Sequence, residues 1–175
     1  MIQTTLNNYF STTWRSNLNQ YKYSGWELIN KIKPNELVLD VGCGFNEFKH
    51  KIPGLIGIDP ANTRADLCVS AERFAEDSSN HNKFDVAFCL GSINFGSEAN
   101  IISQINCVIK CLKPHARIYW RCNPGLADHG NKECRDIEFY PWTIEKHIEF
   151  ADLFGFKLVT ARWDTSNRIY AEWDR

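Results

Sequence analysis

Long apolar runs, clustered basic residues and metal-type cysteine spacing are all missing from these 175 residues. Without about 20 consecutive apolar residues no segment can cross a bilayer as a helix. The N-terminal Met-Ile-Gln-Thr-Thr also lacks the basic region and apolar run of a secretion signal. Lys and Arg number 20 against 21 Asp and Glu, are scattered, and leave a net charge of -1. That balance provides no electrostatic footprint for nucleic acid. None of the seven cysteines stands at Cys-x-x-Cys spacing, and Cys107 and Cys111, one helical turn apart, have only the single His115 in their vicinity, short of a four-ligand set. Zinc is therefore disfavoured and no metal site is expected. Cys43, Cys68 and Cys89 fall in or beside apolar strands, where a free thiol acts as a small apolar side chain. With repeats and low-complexity tracts also missing, the absences point to a soluble, cytoplasmic protein with reduced thiols.

Enough apolar material is present, 43% hydrophobic and 13% aromatic, for one sizeable core, and the length leaves no room for a second domain. The expectation is a single domain over 1–175, with an aromatic-rich N-terminal segment (1–33) preceding a core (34–175). Ile101, Ile102, Ile105, Val108, Ile109 and Leu112 recur at helical spacing behind Ser97, a suitable N-cap. Thr143 to Phe154 predicts a second helix with Thr143 as N-cap and Gly155 at its end. Phe156 to Trp163 and Arg168 to Trp173 predict an antiparallel hairpin around Asp-Thr-Ser-Asn.

Leu37 to Asn46, Leu-Val-Leu-Asp-Val-Gly-Cys-Gly-Phe-Asn, is the stretch that points to a ligand. Val38, Leu39 and Val41 suit a strand buried on both faces of a parallel sheet, and Gly42 and Gly44 permit a tight turn and close backbone approach. A dinucleotide fingerprint would place a third glycine three positions after Gly44, where Glu47 stands, a poor neighbour for a pyrophosphate. Asp40, just before the turn, suits the cationic amino-acid end of a ligand. Leu55 to Pro60 is a second apolar strand ending in Asp59, placed to accept both hydroxyls of a ribose. Two acids without a phosphate cradle favour S-adenosylmethionine over NAD, and a nicotinamide-dependent oxidoreductase is the weaker reading.

From Leu37 onward the chain resembles the class I S-adenosylmethionine-dependent methyltransferases. Asp40-Val41-Gly42-Cys43-Gly44 is similar to the family's first motif, Ile58-Asp59-Pro60 to its ribose-binding acid, and Ala65-Asp66-Leu67 with Ser70-Ala71-Glu72 to the segment bordering adenine. Phe84 to Phe88 resembles the fourth strand, Leu112-Lys113-Pro114 the turn into the fifth, and Leu153 to Phe156 the helix end before the sixth. The resemblance implies an α/β, Rossmann-like sheet of seven strands in the order 3-2-1-4-5-7-6, strand 7 antiparallel, with helices on both faces. It implies a cofactor held by Asp40, Gly42, Cys43, Gly44, Asp59, Pro60, Ala71, Glu72, Leu90 and Gly91. Only 15 positions separate Gly44 from Asp59, so the first helix, about Glu47 to Ile52, is shorter than is usual in the family.

Methyl transfer from a sulfonium is an in-line displacement for which positioning supplies much of the catalysis. A base, where one is needed, would come from the loops after the fourth and fifth strands. His129 is the best candidate base, or else a plain surface histidine; Asn94 either holds an acceptor or caps the turn before Ser97. The loop after the fourth strand has neither an Asn/Asp-Pro-Pro-aromatic motif nor a Pro-Cys, and Cys122 reads as a structural thiol. A small-molecule acceptor is thus preferred. Tyr9, Phe10, Trp14, Tyr21, Tyr23 and Trp26 form either a lid over the site or ordinary core beside Leu28, Ile29 and Ile32. The alternative to an enzyme is an inactive protein that binds S-adenosylmethionine or S-adenosylhomocysteine in a regulatory or assembly role, its acceptor space filled by Phe95, Trp142 or the N-terminal aromatics.

Overall fold

A computed structural model describes residues 2–125, 135 and 137–175. Six strands, β1 (Val38–Val41), β2 (Leu55–Ile58), β3 (Phe84–Leu90), β4 (Leu112–Cys122), β5 (Lys157–Asp164) and β6 (Arg168–Asp174), form one sheet in the order β2-β1-β3-β4-β6-β5. The first four are parallel, and β6 runs antiparallel between β4 and β5. The apolar runs at β1 and β3 are buried on both faces, as residues between two layers must be. Ser166 and Asn167 are both left-handed (φ 63° and 51°), which closes the β5–β6 hairpin tightly.

Among the described residues the sheet has six strands where seven were expected. The segment after β2 keeps a single parallel bridge, Ile58 to Leu67, instead of an edge strand. The cause is local: the Gly57 N–H donates to the Asp66 carboxylate at 2.8 Å. Asp66 also takes Lys49 at 3.0 Å, so a side chain closes this edge where a third strand would otherwise pair.

Helices α1 (Ile2–Thr12), α2 (Ala71–Glu76), α3 (Glu98–Cys111) and α4 (Ile144–Leu153) complete the fold. Ser97 caps α3 in a reciprocal capping box with Asn100, Thr143 accepts the Lys146 N–H at the start of α4, and Gly155 is left-handed just past its end. Alternation along β4 divides the core. Ile118, Trp120 and Cys122 pack with Ile101, Ile105, Val108 and Phe150 of α3 and α4. Tyr119 points the other way, to Leu28, Phe48, Phe88 and Tyr170. That second face is covered by two short 3-10 helices, Trp26–Lys31 and Glu47–His50, rather than by α-helices. Leu28 is fully buried, and Trp26, Ile29 and Ile32 pack beside it, so this part of the aromatic segment is core. Among the described residues no helix is long and apolar enough to cross a membrane.

Candidate active site

The carboxyl ends of β1 and β3 part where the winding of the sheet reverses, the position at which open α/β sheets take ligands. A cavity of about 630 Å³ opens there, within the range of about 300–1,000 Å³ usual for small-molecule sites. Every position expected to hold a cofactor lines it: Asp40, Gly42, Cys43 and Gly44 from the first turn, Asp59 and Pro60 after β2, Ala71 and Glu72 opening α2, and Leu90 and Gly91 ending β3. Asn94 lines it as well. His129 lies outside the described residues.

Asp59 is the hub of the first turn. Its Oδ2 accepts the Gly44 N–H at 2.9 Å. Its Oδ1 accepts the N–H groups of Ala61 and Asn62 at 2.7 and 2.9 Å. A carboxylate oxygen has two lone pairs. In this geometry Oδ1 is filled and Oδ2 has one place left, which suits one ligand hydroxyl rather than two. Asp40 is buried beside it, and no hydrogen bond from the described residues reaches its side chain. Burial, reinforced by the Asp59 charge, pushes the Asp40 carboxyl up to about 7. A cationic group placed against this pair would restore its ionised form.

The glycines serve unequal ends. Gly42 is left-handed (φ 68°), and a Cβ there would meet the Ser92 Cβ at 2.4 Å, so it is needed for the turn and for packing on the loop after β3. Gly44 (φ 56°) faces the ring edge of Trp14, whose nearest carbon would lie 3.2 Å from an added Cβ. At Gly91 (φ 99°) the only atom within 4 Å of an added Cβ is the Asn94 Nδ2 at 3.9 Å, which leaves bare backbone toward the cavity. The resemblance of Ala65-Asp66-Leu67 to an adenine-bordering segment is not met: these residues do not line the cavity, and Asp66 is spent on the sheet edge.

The far half of the cavity holds residues that the linear sequence did not single out. Arg121, at the end of β4, is buried and donates to Ser24 Oγ at 2.9 Å and Asp164 at 3.1 Å, with its guanidinium 3.6 Å from the Tyr21 ring centre. Asn123 is 2% exposed, its Nδ2 has no hydrogen-bond partner among the described residues, and its Oδ1 accepts the Gly125 N–H. Arg168 opens β6, and Ser92 adds a buried hydroxyl without a hydrogen-bond partner among the described residues. Period-two alternation along Arg117, Tyr119 and Arg121 was the available signal for Arg121; nothing local marks Arg168 or Asn123. Asn94 lines the cavity, and its Oδ1 accepts the Asn123 N–H at 3.0 Å rather than capping the turn before Ser97, which ties the two loops together. Cys122 is buried off the cavity, with burial raising its thiol well above the ordinary value. Trp142 is core, donating to the Ile93 carbonyl at 2.8 Å, and does not fill the cavity. From the N-terminal segment Leu6, Phe10, Trp14 and Tyr21 line the space.

No protein-family profile and no curated protein matches the chain. Solved structures do. A methyltransferase from Archaeoglobus fulgidus superposes with a TM-score of 0.68 over 85% of this chain and 90% of its own, at 13% identity. The chain has the class I methyltransferase fold. Magnesium protoporphyrin IX methyltransferase from Synechocystis, with S-adenosylhomocysteine bound, shares that fold over the full length of both chains, at 15% identity and a TM-score of 0.65. The 1,6-didemethyltoxoflavin-N1-methyltransferase of Burkholderia thailandensis shares it over 80% of this chain and 71% of its own, at 13% identity and a TM-score of 0.62.

Proposed function

We propose that this chain is an S-adenosylmethionine-dependent methyltransferase acting on a small molecule. The observation that carries the reading is the juxtaposition, in one cavity at the switch point, of a buried acid pair, Asp40 and Asp59, with open space continuing to Arg168. The residue chemistry fits the cofactor: Asp40 faces its ammonium end, the free place on Asp59 Oδ2 takes a ribose hydroxyl, Glu72 and Ala71 border the adenosine, and the bare backbone at Leu90 and Gly91 allows close approach. When bound, the cofactor supplies a methyl group already activated on a sulfonium. The protein's task is then to position the acceptor and exclude water. Asn94 and Asn123 orient the acceptor, and residues 1–33 serve as a lid, with Phe10 and Trp14 closing the space above the first turn. His129 remains the candidate base. Two small-molecule methyltransferases among the structural neighbours support the acceptor class. The inactive-binder reading required Phe95, Trp142 or the N-terminal aromatics to fill the acceptor space; Trp142 is in the core, and Phe95, Phe10, Trp14 and Tyr21 line a cavity that still holds about 630 Å³, which favours turnover.

Calorimetric titration with S-adenosylmethionine, S-adenosylhomocysteine and NAD tests the proposal. Micromolar binding of both adenosyl ligands and none of NAD is expected; failure of both adenosyl ligands to bind would overturn it. Asp59→Ala should weaken adenosyl-ligand binding about tenfold or more, the worth of a charge-assisted hydrogen bond. Because the same carboxylate holds Gly44, Ala61 and Asn62, circular dichroism must show the variant folded before unchanged affinity is taken against the assignment.

A further inference from the structure

Trp14, Arg15 and Ser16 dock in register on the first turn. A Cβ added at Gly44 would lie 3.2 Å from the Trp14 ring, the Arg15 guanidinium lies 4.1 Å from the centre of the Phe45 ring, and the Ser16 hydroxyl donates to Glu47. Arg64, on the loop that follows Asp59, brings a second guanidinium to the same ring at 5.3 Å. The Arg64 backbone is pinned on both sides, its N–H donating to Asn62 Oδ1 at 3.0 Å and its carbonyl accepting the Asn46 Nδ2 at 3.2 Å, so the side chain extends from a fixed base. These residues wall a second cavity, of about 530 Å³, which shares only Ser16 and Glu47 with the first. Lys51 and His50 add to its basic side, and its one acid, Glu47, already accepts the Ser16 hydroxyl. Among the described residues the Arg15 guanidinium donates to the Trp14 carbonyl at 2.9 Å, and neither it nor the Arg64 guanidinium meets a carboxylate. The aromatic face attracts each cation, but two like charges against one ring repel each other. An anion between them removes that cost.

We propose that this second cavity is a regulatory site for a soluble phosphate-bearing molecule, and that the bound anion, bridging Arg15 to Arg64, clasps the N-terminal segment onto the first turn and so tightens cofactor binding. Two guanidinium forks, an ammonium group and an imidazole match the several oxygens of a phosphate. They line a recess instead of standing on a flat face, which favours a soluble ligand over a membrane headgroup. Arg15 belongs to the segment that covers Gly44, and Arg64 to the loop anchored on Asp59, so an anion held by both favours the closed arrangement over the cofactor site. By linkage, each ligand strengthens the other by the same factor. The anion site stands apart from the methyltransferase reading, and only its coupling to the cofactor rests on that reading.

The test is calorimetric titration of pyrophosphate into the full chain at constant ionic strength, with sodium chloride as the control for screening. Pyrophosphate should bind and chloride should not. Arg64→Gln should weaken pyrophosphate about tenfold or more, the worth of a charge-assisted hydrogen bond, and Arg64→Lys should restore part of it. Saturating pyrophosphate should tighten S-adenosylhomocysteine about fivefold or more and slow amide hydrogen exchange in residues 13–16, and Arg64→Gln should remove both effects. No binding of pyrophosphate, binding indifferent to Arg64→Gln, unmoved exchange at residues 13–16, or an S-adenosylhomocysteine affinity that pyrophosphate leaves unchanged would each overturn the proposal. Vesicles of phosphatidylcholine and phosphatidic acid should not capture the protein; capture that excess pyrophosphate fails to reverse would assign the basic side to a membrane and overturn it as well. If the unaltered protein bound no S-adenosylhomocysteine, the methyltransferase reading and the coupling would fall together, and pyrophosphate titration with hydrogen exchange would still decide the anion site.

Discussion

Two buried titratable groups set the acid–base behaviour of individual residues, and they pull in opposite directions. Asp40, raised from 3.8 to about 7, keeps a proton in the fold that the unfolded chain releases, so its contribution to stability declines as pH rises through that window. His147 is fully buried, stacked on Trp142 at 4.6 Å and close to Trp120 and Trp173, with neither ring nitrogen hydrogen-bonded among the described residues. Burial lowers it from 6.5 to about 3, so the unfolded chain takes up a proton that the fold refuses and stability declines as pH falls below about 6.5. Urea unfolding at pH 5 and pH 7 should separate the two. His147→Phe, which retains an aromatic ring, should gain stability at pH 5 relative to pH 7, and Asp40→Asn should lose it. Ligand binding follows the same logic. Binding of a ligand with a cationic α-amino end should tighten as pH rises through about 7, where Asp40 ionises, and weaken again above about 8, where the amine deprotonates. In Asp40→Asn the rising limb should vanish.

At the scale of elements, one carboxylate gathers several of the bonds that fasten the N-terminal segment to the sheet. Asp164, at the end of β5, accepts the backbone N–H groups of Lys22, Tyr23 and Ser24 at 3.1–3.2 Å and the Arg121 guanidinium at 3.1 Å. Burial alone would raise its pKa, but the Ser24 hydroxyl, backbone N–H groups and Arg121 hold it below the usual value. Asp164→Ala would leave Arg121 buried without its ion partner, a loss of about 3–5 kcal/mol for a broken buried pair. A lowered urea midpoint and faster tryptic cleavage between Arg15 and Lys22 are the expected readouts. Unchanged cleavage would mean that other contacts hold the segment. Both helices with strong caps were legible in the sequence, because capping depends on residues three apart and on one apolar period. The missing edge strand was not, because it turns on the Asp66 side chain folding back nine residues to Gly57.

For the molecule as a whole, ligand binding and folding are linked. S-adenosylhomocysteine at about 100 times its Kd should stabilise the native state by about 2.7 kcal/mol, which for a chain of this size raises Tm by about 5–10 °C. Differential scanning fluorimetry reads this directly, and NAD at the same concentration should leave Tm unmoved. Asp40, the glycine turn and Asp59 could be identified from the linear chain because a β-strand ending in a tight turn places neighbouring residues at the sheet edge by local geometry alone. The far half of the cavity could not. Asn123 and Arg168 come together only through the antiparallel insertion of β6 beside β4, and Arg121 is buried only because Asp164 and Ser24 meet it from distant parts of the chain. By itself, then, the sequence determined the fold class, the helix ends and the acidic half of the site, all of which follow from short-range periodicity and turn chemistry. Tertiary structure decided the strand count, the occupant of each glycine's open side and the basic half of the cavity, because those depend on which side chains the sheet order brings face to face.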